Sequence, residues 1–329
     1  MYDQIETAGL KGRDFLSTQD WSVEELEKLF SLAARLKTDR MAGLPTRLLE
    51  DKTLYMIFFD SSTRTRNSFE TGITQLGGHG IYLSPDKMQI SHGENARDTA
   101  NVLSRYGEAI AIRHCAFGEG NAYLSEVAQH SSVPVLSMQC DVYHPCQILA
   151  DYLTIREKLG DTRGLKLGVA WTSAPNYVRP ISVPQSLILM MPRFGIDVTL
   201  AYPPEFRLHP EIEEQARRNA EAAGARFEIS HRFEDAFEDA DVVIPKSWGP
   251  LLHTQDHAEG IRLIEAYPDW RCDAARMALG KAHMLYMHPL PADRGREVTD
   301  EVIDGPQSVV YDEAENRLHV QKALMALTM

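Results

Sequence analysis

Residues 62–66 carry only hydroxyl and guanidinium side chains and read Ser-Thr-Arg-Thr-Arg. The apolar and aromatic residues 54–59 before them predict a buried parallel strand. After them, apolar or small residues recur at helical spacing, at Phe69, Gly72, Ile73 and Leu76. Ser62 is then expected near a helix N-cap, where backbone N–H groups, hydroxyls and the positive end of the helix dipole converge. A phosphate group fits such a nest of donors, with Arg64 beside it. The alternative is a plain helix cap, with both arginines in solvent.

The length and composition predict two domains of ordinary size. The chain has 329 residues, 43% of them apolar, which is enough for two separate cores. Its 34 basic and 47 acidic residues give a net charge of −13. A phosphate site must therefore be a local basic pocket, and no nucleic-acid partner is expected.

Targeting signals and metal motifs are not evident. The first 15 residues have neither an apolar core nor a basic amphipathic pattern, and no apolar run approaches a membrane span. The four cysteines are scattered without CxxC spacing, which is typical of reduced thiols and not of a disulfide framework or a zinc site. We therefore expect a cytoplasmic protein with no membrane partner and no metal.

Strands alternate with helices along the chain, after an opening helix whose capping box begins at Ser22. The expected strands are 54–59, 80–83, 109–113 and 133–138, then 167–171, 197–201, 227–230, 242–245 and 282–288, with a helix over 186–193 after the strand 167–171. This βα alternation predicts α/β domains with doubly wound parallel sheets. We expect a first domain over 1–143, a second over 144–310, and a C-terminal helix within 311–329 that packs back on the first. No P-loop motif occurs, and no GxGxxG follows a strand.

Four further segments complete a recognisable pattern: Ile112-Arg113, His144-Pro145-Cys146-Gln147, His288-Pro289-Leu290-Pro291 and Glu315-Asn316-Arg317. Together with residues 62–66, in this order across nearly the whole chain, they resemble the aspartate and ornithine carbamoyltransferases. The resemblance implies that one domain holds carbamoyl phosphate and the other holds the amine. It also implies a homotrimer with sites shared between neighbouring subunits, and no cofactor.

The resemblance assigns roles residue by residue. The implied carbamoyl phosphate ligands are Ser62, Thr63, Arg64, Thr65, Arg113, His144, Gln147, His288, Pro289, Leu290 and Arg317. Among these, Arg113, His144 and Thr65 would be catalytic, because donors around the carbamoyl oxygen stabilise the charge that it gains when the amine attacks. The plainer alternatives are that His144 only caps a helix, that Arg113 pairs with a surface carboxylate, and that Arg317 is solvated.

Two further groups of residues complete the implied site. A polar loop over 84–93 corresponds to the family's shared loop and would reach a neighbouring subunit through Lys87, Gln89 and His92; the alternative is a mobile surface loop. The implied amine-substrate residues are Asp141, Arg179, Lys246, Trp248 and Arg294. Lys246 has the alternative of pairing with a carboxylate such as Asp241, and Arg179 that of a solvated loop residue.

Within the family, the segment Lys246-Ser247-Trp248-Gly249 departs from the ornithine branch. It is most similar to the N-acylornithine (acetyl or succinyl) carbamoyltransferases, and loop and proline segments are similar to an uncharacterised group of knotted transcarbamylases. This similarity implies a trefoil knot around residues 172–185 and an acceptor that is a small amine with a carboxylate, N-acylornithine-like or a diamino acid. The direction of the reaction, including phosphorolysis, stays open. Two other classes are a catalytically silent relative that acts as a binding or regulatory subunit and an unrelated phosphate-binding α/β protein.

Overall fold

The computed structural model describes residues 9–175 and 179–329. The chain forms two compact units, one made of residues up to Ala150 together with Glu315–Met329, and one made of Asp151–Ala314. Their limits fall inside the helices Pro145–Leu159 and Val310–Thr328. Two α/β units are what the alternation of strands and helices predicts. The domain limits expected from the sequence, at residues 143 and 310, stay a prediction.

Unit 1 is a four-stranded parallel sheet in the order β2-β1-β3-β4. The strands are β1 (Thr53–Phe58), β2 (His79–Leu83), β3 (Ala109–His114) and β4 (Val135–Cys140). The helices are α1 (Val23–Met41), α2 (Thr63–Gln75), α3 (Ala96–Leu103), α4 (Gly120–His130), the first part of α5 (Pro145–Leu159) and most of α11 (Val310–Thr328). Ile57, Ile110, Ile112 and Leu124 are fully buried in the core beside the central strands. Parallel strands with this core direct their carboxyl ends to one edge of the sheet.

Local sequence signals explain where the helices of unit 1 begin. Ser22 and Glu25 form the predicted capping box at α1, each side chain accepting the other's backbone N–H. In α2, Gly72 leaves little space beside α11, because a Cβ at this position would lie 3.0 Å from the end of the Met325 side chain. Helices α2 and α11 therefore pack closely, and α11 completes the unit.

Unit 2 is a five-stranded parallel sheet in the order β7-β6-β5-β8-β9. The strands are β5 (Lys166–Trp171), β6 (Asp197–Ala201), β7 (Phe227–Ser230), β8 (Val242–Lys246) and β9 (Leu285–Tyr286). The helices are α6 (Ser182–Met190), α7 (Pro210–Ala223), α8 (His257–Glu265), α9 (Ala274–Met277) and α10 (Asp300–Ile303). Ala170, Val243, Phe237 and Tyr286 belong to its buried core. Strands β5 and β8 lie in the centre, so residues that follow them meet at the carboxyl edge.

The structure corrects several predicted boundaries in unit 2. Helix α6 begins at Ser182, four residues before the predicted start. It can include Pro184 because N–H groups in the first turn of a helix lack intrahelical acceptors. The predicted strand 282–288 is reduced to the two residues of β9, since Met284 closes a turn onto Lys281 before the strand and the His-Pro-Leu-Pro segment follows it.

Predictions from the sequence also concern a knot and membrane spans. The predicted knot concerns residues 172–185, and residues 176–178 of this loop lie outside the described residues, so the knot stays a prediction. Within the described ranges, no helix is long and apolar enough to cross a membrane.

Candidate active site

Residues 62–65 lie where β1 leads into α2. Ser62 is the N-cap of α2, as predicted, and its Oγ accepts the N–H of Thr65 at 3.2 Å. Thr65 is buried, Arg64 is half-buried and Thr63 is exposed. The first turn of α2 contains no acidic residue. An anion at this helix end would meet backbone N–H groups, hydroxyls and a guanidinium with no competing carboxylate in that turn.

Arg113 lies beside this loop at the end of β3. Strand register pairs Phe58 with Arg113, and the N–H of Phe59 donates to the Arg113 carbonyl at 2.9 Å. Asp60 also joins the loops after β1 and β3, because its Oδ2 accepts the N–H of Cys115 at 2.7 Å. The Arg113 Nε atom is buried and has no hydrogen-bond partner among the described residues. A buried donor of this kind is costly unless a ligand satisfies it.

Arg317 connects α11 to two of the other predicted carbamoyl phosphate segments. Its Nη1 donates to Gln147 Oε1 at 2.5 Å and its Nη2 donates to Thr65 Oγ1 at 2.9 Å. Arg317 is only 3% exposed, so the interpretation as a solvated helix residue is wrong. Because the Thr65 oxygen accepts this N–H, its hydroxyl proton is directed elsewhere and is available as a donor.

His144 directly precedes α5. Its carbonyl accepts the N–H of Gln147 at 3.1 Å, which begins the helix, and its side chain is 5% exposed. The plain capping interpretation accounts for the backbone, while the side chain is buried four residues after the end of β4. Cys146 follows in the same turn, and burial raises the pKa of its thiol to about 12. A thiol of this kind is protonated at neutral pH and is a poor nucleophile.

Asp141 caps the start of α4 by accepting backbone hydrogen bonds. Its two carboxylate oxygens accept the N–H groups of Gly118 at 2.8 Å and Asn121 at 2.7 Å, and the residue is buried. This capping role was not expected from the sequence. Both oxygens retain a further lone pair, so the predicted contact with an amine would add to these bonds.

The predicted shared loop is exposed on the isolated chain. It contains two short 3-10 turns, Pro85–Lys87 and Gln89–His92, and Lys87, Gln89 and His92 are all exposed. The Lys87 ammonium lies 3.6 Å from Asp86. The loop follows β2, an edge strand.

In unit 2, three of the predicted residues surround one buried carboxylate. Glu297 is fully buried, and its oxygens lie 3.2 Å from Arg179 Nη1, 3.3 Å from His288 Nε2 and 3.9 Å from Lys246 Nζ. Arg179 also pairs with Asp293. The interpretation of Arg179 as a solvated residue is therefore wrong. The alternative that Lys246 pairs with a carboxylate is supported, with Glu297 as that carboxylate instead of Asp241.

The His-Pro-Leu-Pro segment has an unusual backbone. Leu290 has a φ of 46°, a left-handed conformation that costs a leucine on the order of 1–2 kcal/mol. Its N–H donates to His288 Nδ1 at 2.9 Å, and the His288 N–H donates to Glu313 at 2.8 Å. Strain of this kind occurs most often at functional sites, where surrounding contacts maintain it.

The two other predicted residues of unit 2, Trp248 and Arg294, have different surroundings, because their side chains bind partners other than Glu297. Trp248 is buried, and its indole N–H donates to the Phe206 carbonyl at 2.6 Å. Arg294 is exposed and forms ion pairs with Asp300 and Asp304, each at 2.6 Å. Arg294 is therefore a surface ion-pair residue in this structure, and an acceptor would have to displace one of two carboxylates to bind it.

Glu297 is the residue that sequence reasoning missed. It stands among polar residues in Asp-Arg-Gly-Arg-Glu-Val, where an acidic side chain is normally exposed. Its position three residues after Arg294 carries no signal of burial. Only the fold, which brings the ends of β5 and β8 to it, reveals its role.

Together, the fold and these contacts define a two-unit parallel α/β protein with a set of anion-binding donors at a helix N-terminus. Comparison with known proteins gives the family. The profile described as aspartate/ornithine carbamoyltransferase, carbamoyl-P binding domain, matches residues 13–157, and the Asp/Orn binding domain profile of the same family matches residues 180–328. The chain belongs to the aspartate/ornithine carbamoyltransferase family and is a carbamoyltransferase.

Individual relatives cover almost the whole chain. Ornithine carbamoyltransferase of Methanoculleus marisnigri is 42% identical over 95% of this chain and 96% of its own length, and that of Thermococcus kodakarensis is 42% identical over 97% of both. The solved ornithine carbamoyltransferase of Pyrococcus furiosus has a TM-score of 0.89 at 39% identity, covering 97% of this chain and 98% of its own. An acetylornithine transcarbamylase complexed with acetylcitrulline has a TM-score of 0.88 at 35% identity, covering 95% and 98%.

Proposed function

We propose that the protein transfers the carbamoyl group between carbamoyl phosphate and the amine of a small acceptor that bears a carboxylate. The observation that supports this most directly is the Arg317 network, which joins the predicted ligands Thr65 and Gln147 in a buried cluster. Carbamoyl phosphate would bind at the start of α2, with its phosphate on residues 62–65. Its carbamoyl end would face Arg113, His144 and Gln147.

Catalysis in this proposal is electrostatic and does not need a covalent intermediate. The amine nitrogen attacks the carbamoyl carbon, and the carbonyl oxygen gains negative charge. Thr65, Arg113 and His144 are the proposed donors to that oxygen. The C–O bond to phosphate then breaks, and a phosphate oxygen accepts the proton that the amine loses. The same steps in reverse give phosphorolysis of a carbamoylated amine, and both directions belong to the proposal.

The acceptor would bind through unit 2. Arg179 and Lys246 are its proposed carboxylate ligands, and Trp248 shapes the site from its buried position. Arg179 pairs with Asp293 and Glu297, and Lys246 lies near Glu297, so the two positive charges are balanced by two carboxylates. In the proposal, the carboxylate of the acceptor competes with Asp293 for Arg179. The relatives' names favour ornithine or N-acetylornithine, and the Lys-Ser-Trp-Gly segment favours an N-acylornithine (acetyl or succinyl) over ornithine itself.

An acceptor panel tests this function. Amine-dependent phosphate release and the carbamoylated product are measured with ornithine, N-acetylornithine, N-succinylornithine, aspartate, 2,3-diaminopropionate and putrescine. We expect a carboxylate-bearing amine to be best, and Lys246→Met to raise its KM at least tenfold. Lys281→Met is a matched control, because Lys281 pairs with Asp241 instead of Glu297. If putrescine is best, or if no amine accelerates release, the proposal is wrong; the second result favours the catalytically silent relative.

Three further proposals accompany this one: a homotrimer, the cytoplasm as its location, and a trefoil knot. The knot is supported by contacts within unit 2, because the N–H of Gly249 donates to the Arg179 carbonyl at 3.0 Å and the Trp171 indole donates to the Trp248 carbonyl at 2.9 Å. The segment after β8 therefore lies against the loop after β5. An experimental backbone trace in which that segment does not pass through the loop would refute the knot.

A further inference from the structure

The carboxylate of Glu297 holds three separate segments of unit 2 together. Oε1 accepts the N–H of Ser247 at 2.6 Å and the hydroxyl of Thr172 at 3.3 Å, at the ends of β8 and β5. Oε2 accepts the N–H of Asp293 at 2.8 Å and Arg179 Nη1 at 3.2 Å. A carboxylate has about four acceptor positions, and these contacts use all of them.

The same carboxylate balances the charge of its surroundings. Burial raises the pKa of Glu297, but the charges of Lys246 and Arg179, together with the adjacent His288 ring, outweigh burial and hold this pKa far below its usual range. Glu297 is therefore ionised. Its negative charge and that of Asp293 offset the positive charges of Arg179 and Lys246. Removing one partner of such a buried set leaves an uncompensated charge.

Glu297 also lies close to the ring of His288. Because His288 Nδ1 accepts the Leu290 N–H, the proton of the neutral ring is on Nε2, and Nε2 lies 3.3 Å from Glu297 Oε1. Burial lowers the pKa of His288, although the Glu297 charge acts in the opposite direction, so the ring is neutral near pH 7. The carboxylate thus faces the Nε2–H side of the ring that accepts the Leu290 N–H, at ion-pair distance and without a hydrogen bond among the described residues.

We propose that Glu297 is a positioning residue for acceptor binding: it fixes the loop after β5, the end of β8 and the His-Pro-Leu-Pro turn in one arrangement. Ligands of parallel α/β sheets bind at the carboxyl ends of the strands, and all three segments lie there. This inference rests on the proposed function, since it gives Arg179 and Lys246 the acceptor as their ligand. It assigns Glu297 no contact with the reacting atoms.

Kinetics of four variants test the inference, with thermal melting of each. We expect Glu297→Gln to raise the acceptor KM at least tenfold, while the Kd of carbamoyl phosphate stays within twofold. Glu297→Asp keeps the charge and should give a KM closer to wild type. Asp293→Asn removes only the second contact of Arg179 and should raise the KM less than Glu297→Gln. Glu301→Gln, an exposed neighbour, is the control.

The inference is wrong if Glu297→Gln leaves the acceptor KM within twofold. It is also wrong if Glu297→Asp is as impaired as Glu297→Gln, because that result would mean a general packing role for Glu297. It is wrong as well if Asp293→Asn is as impaired as Glu297→Gln, because that result would mean an effect on Arg179 alone.

A readout independent of turnover separates this inference from the proposed function. Long-range ¹H–¹⁵N spectra of ¹⁵N-histidine-labelled protein report which ring nitrogen of His288 carries the proton. We expect the Nε2–H form in wild type and a shifted or mixed signal in Glu297→Gln, even if no acceptor is ever turned over. An identical His288 signal in both proteins would overturn the positioning role. Absence of carbamoyl transfer in wild type would instead contradict the proposed function.

Discussion

Arg317 and Thr65 are 252 residues apart in the chain and are joined by a buried hydrogen bond of 2.9 Å. The same guanidinium donates its other terminal nitrogen to Gln147. The planar fork of arginine makes both contacts at once, and a lysine cannot reproduce them. The C-terminal helix thereby fixes the first turn of α2 and the first turn of α5.

This relationship predicts the effect of changing Arg317. Arg317→Ala should raise the Kd of carbamoyl phosphate about 30- to 1,000-fold, because loss of a charge-assisted contact costs about 2–4 kcal/mol. Arg317→Lys should fall between wild type and Arg317→Ala. Isothermal calorimetry on variants that melt as wild type does gives the measurement. Wild-type affinity in Arg317→Ala would remove this residue from the site.

Arg64 and Arg66 form a matched pair on one helical turn. Arg66 lies over the Tyr82 ring at 3.8 Å and near Glu70, whereas Arg64 is the proposed phosphate ligand. We expect Arg64→Ala to weaken carbamoyl phosphate binding by about 2–4 kcal/mol and Arg66→Ala to change it by less than about 1 kcal/mol. Equal losses in both variants would mean that the effect is long-range charge and not a specific contact.

The proposed shared loop can be tested by complementation. Neither His92→Ala nor Arg64→Ala should be active alone, because each would damage every site of a homotrimer. Mixed under conditions that exchange subunits, they should regain part of the activity, since some sites then combine an intact loop with an intact α2. The readout is carbamoyl transfer, with trimer mass checked by light scattering. No recovery, or a monomer in solution, would contradict sharing.

Lys322 predicts a specific pH dependence of stability. It is fully buried in α11, and its ammonium donates to Thr46 and Gln75 at 3.1 Å each. Burial lowers the pKa of Lys322 from 10.5 to about 8, with the charge of Arg40 acting in the same direction. The unfolded chain therefore binds more protons between these values. The free energy of unfolding should rise with pH there and stay flat, for this group, below about pH 8.

The comparison with Lys322→Met isolates this group from others that titrate in the same range. The stability of wild type relative to the variant should increase by on the order of 2 kcal/mol between pH 8 and 10.5. Urea unfolding at several pH values measures it. A constant difference would show that Lys322 keeps an ordinary pKa in the folded protein.

Local patterns predicted the elements whose ends carry chemistry. Strand β1, the Ser62 cap and the Ser22 capping box depend on neighbours within a few residues, and each is confirmed. Helix α6 began earlier than predicted because the first turn tolerates Pro184, which was interpreted as part of the loop.

Long-range contacts could not be obtained from the sequence in the same way. The burial of Glu297 and Lys322 depends on strands and helices far away in the chain, and isolated acidic or basic residues are normally solvated. Arg317 was assigned from family resemblance, whereas its partners Thr65 and Gln147 became visible only in the fold. Residue type predicted the chemistry of the site, and packing determined which charges are paired within it.

Transfer of a labelled carbamoyl group tests the central claim most directly. Wild type and Arg64→Ala are incubated with ¹³C-carbamoyl phosphate and the best acceptor of the panel, and the label is followed by NMR. Cyanate released from carbamoyl phosphate carbamoylates amines without an enzyme, so the reaction without protein gives the background. We predict that wild type moves the label to the ureido carbon of the product far above this background, with one phosphate released per label, and that Arg64→Ala does so at least tenfold more slowly. Label transfer by wild type at the background rate with every acceptor would contradict the account.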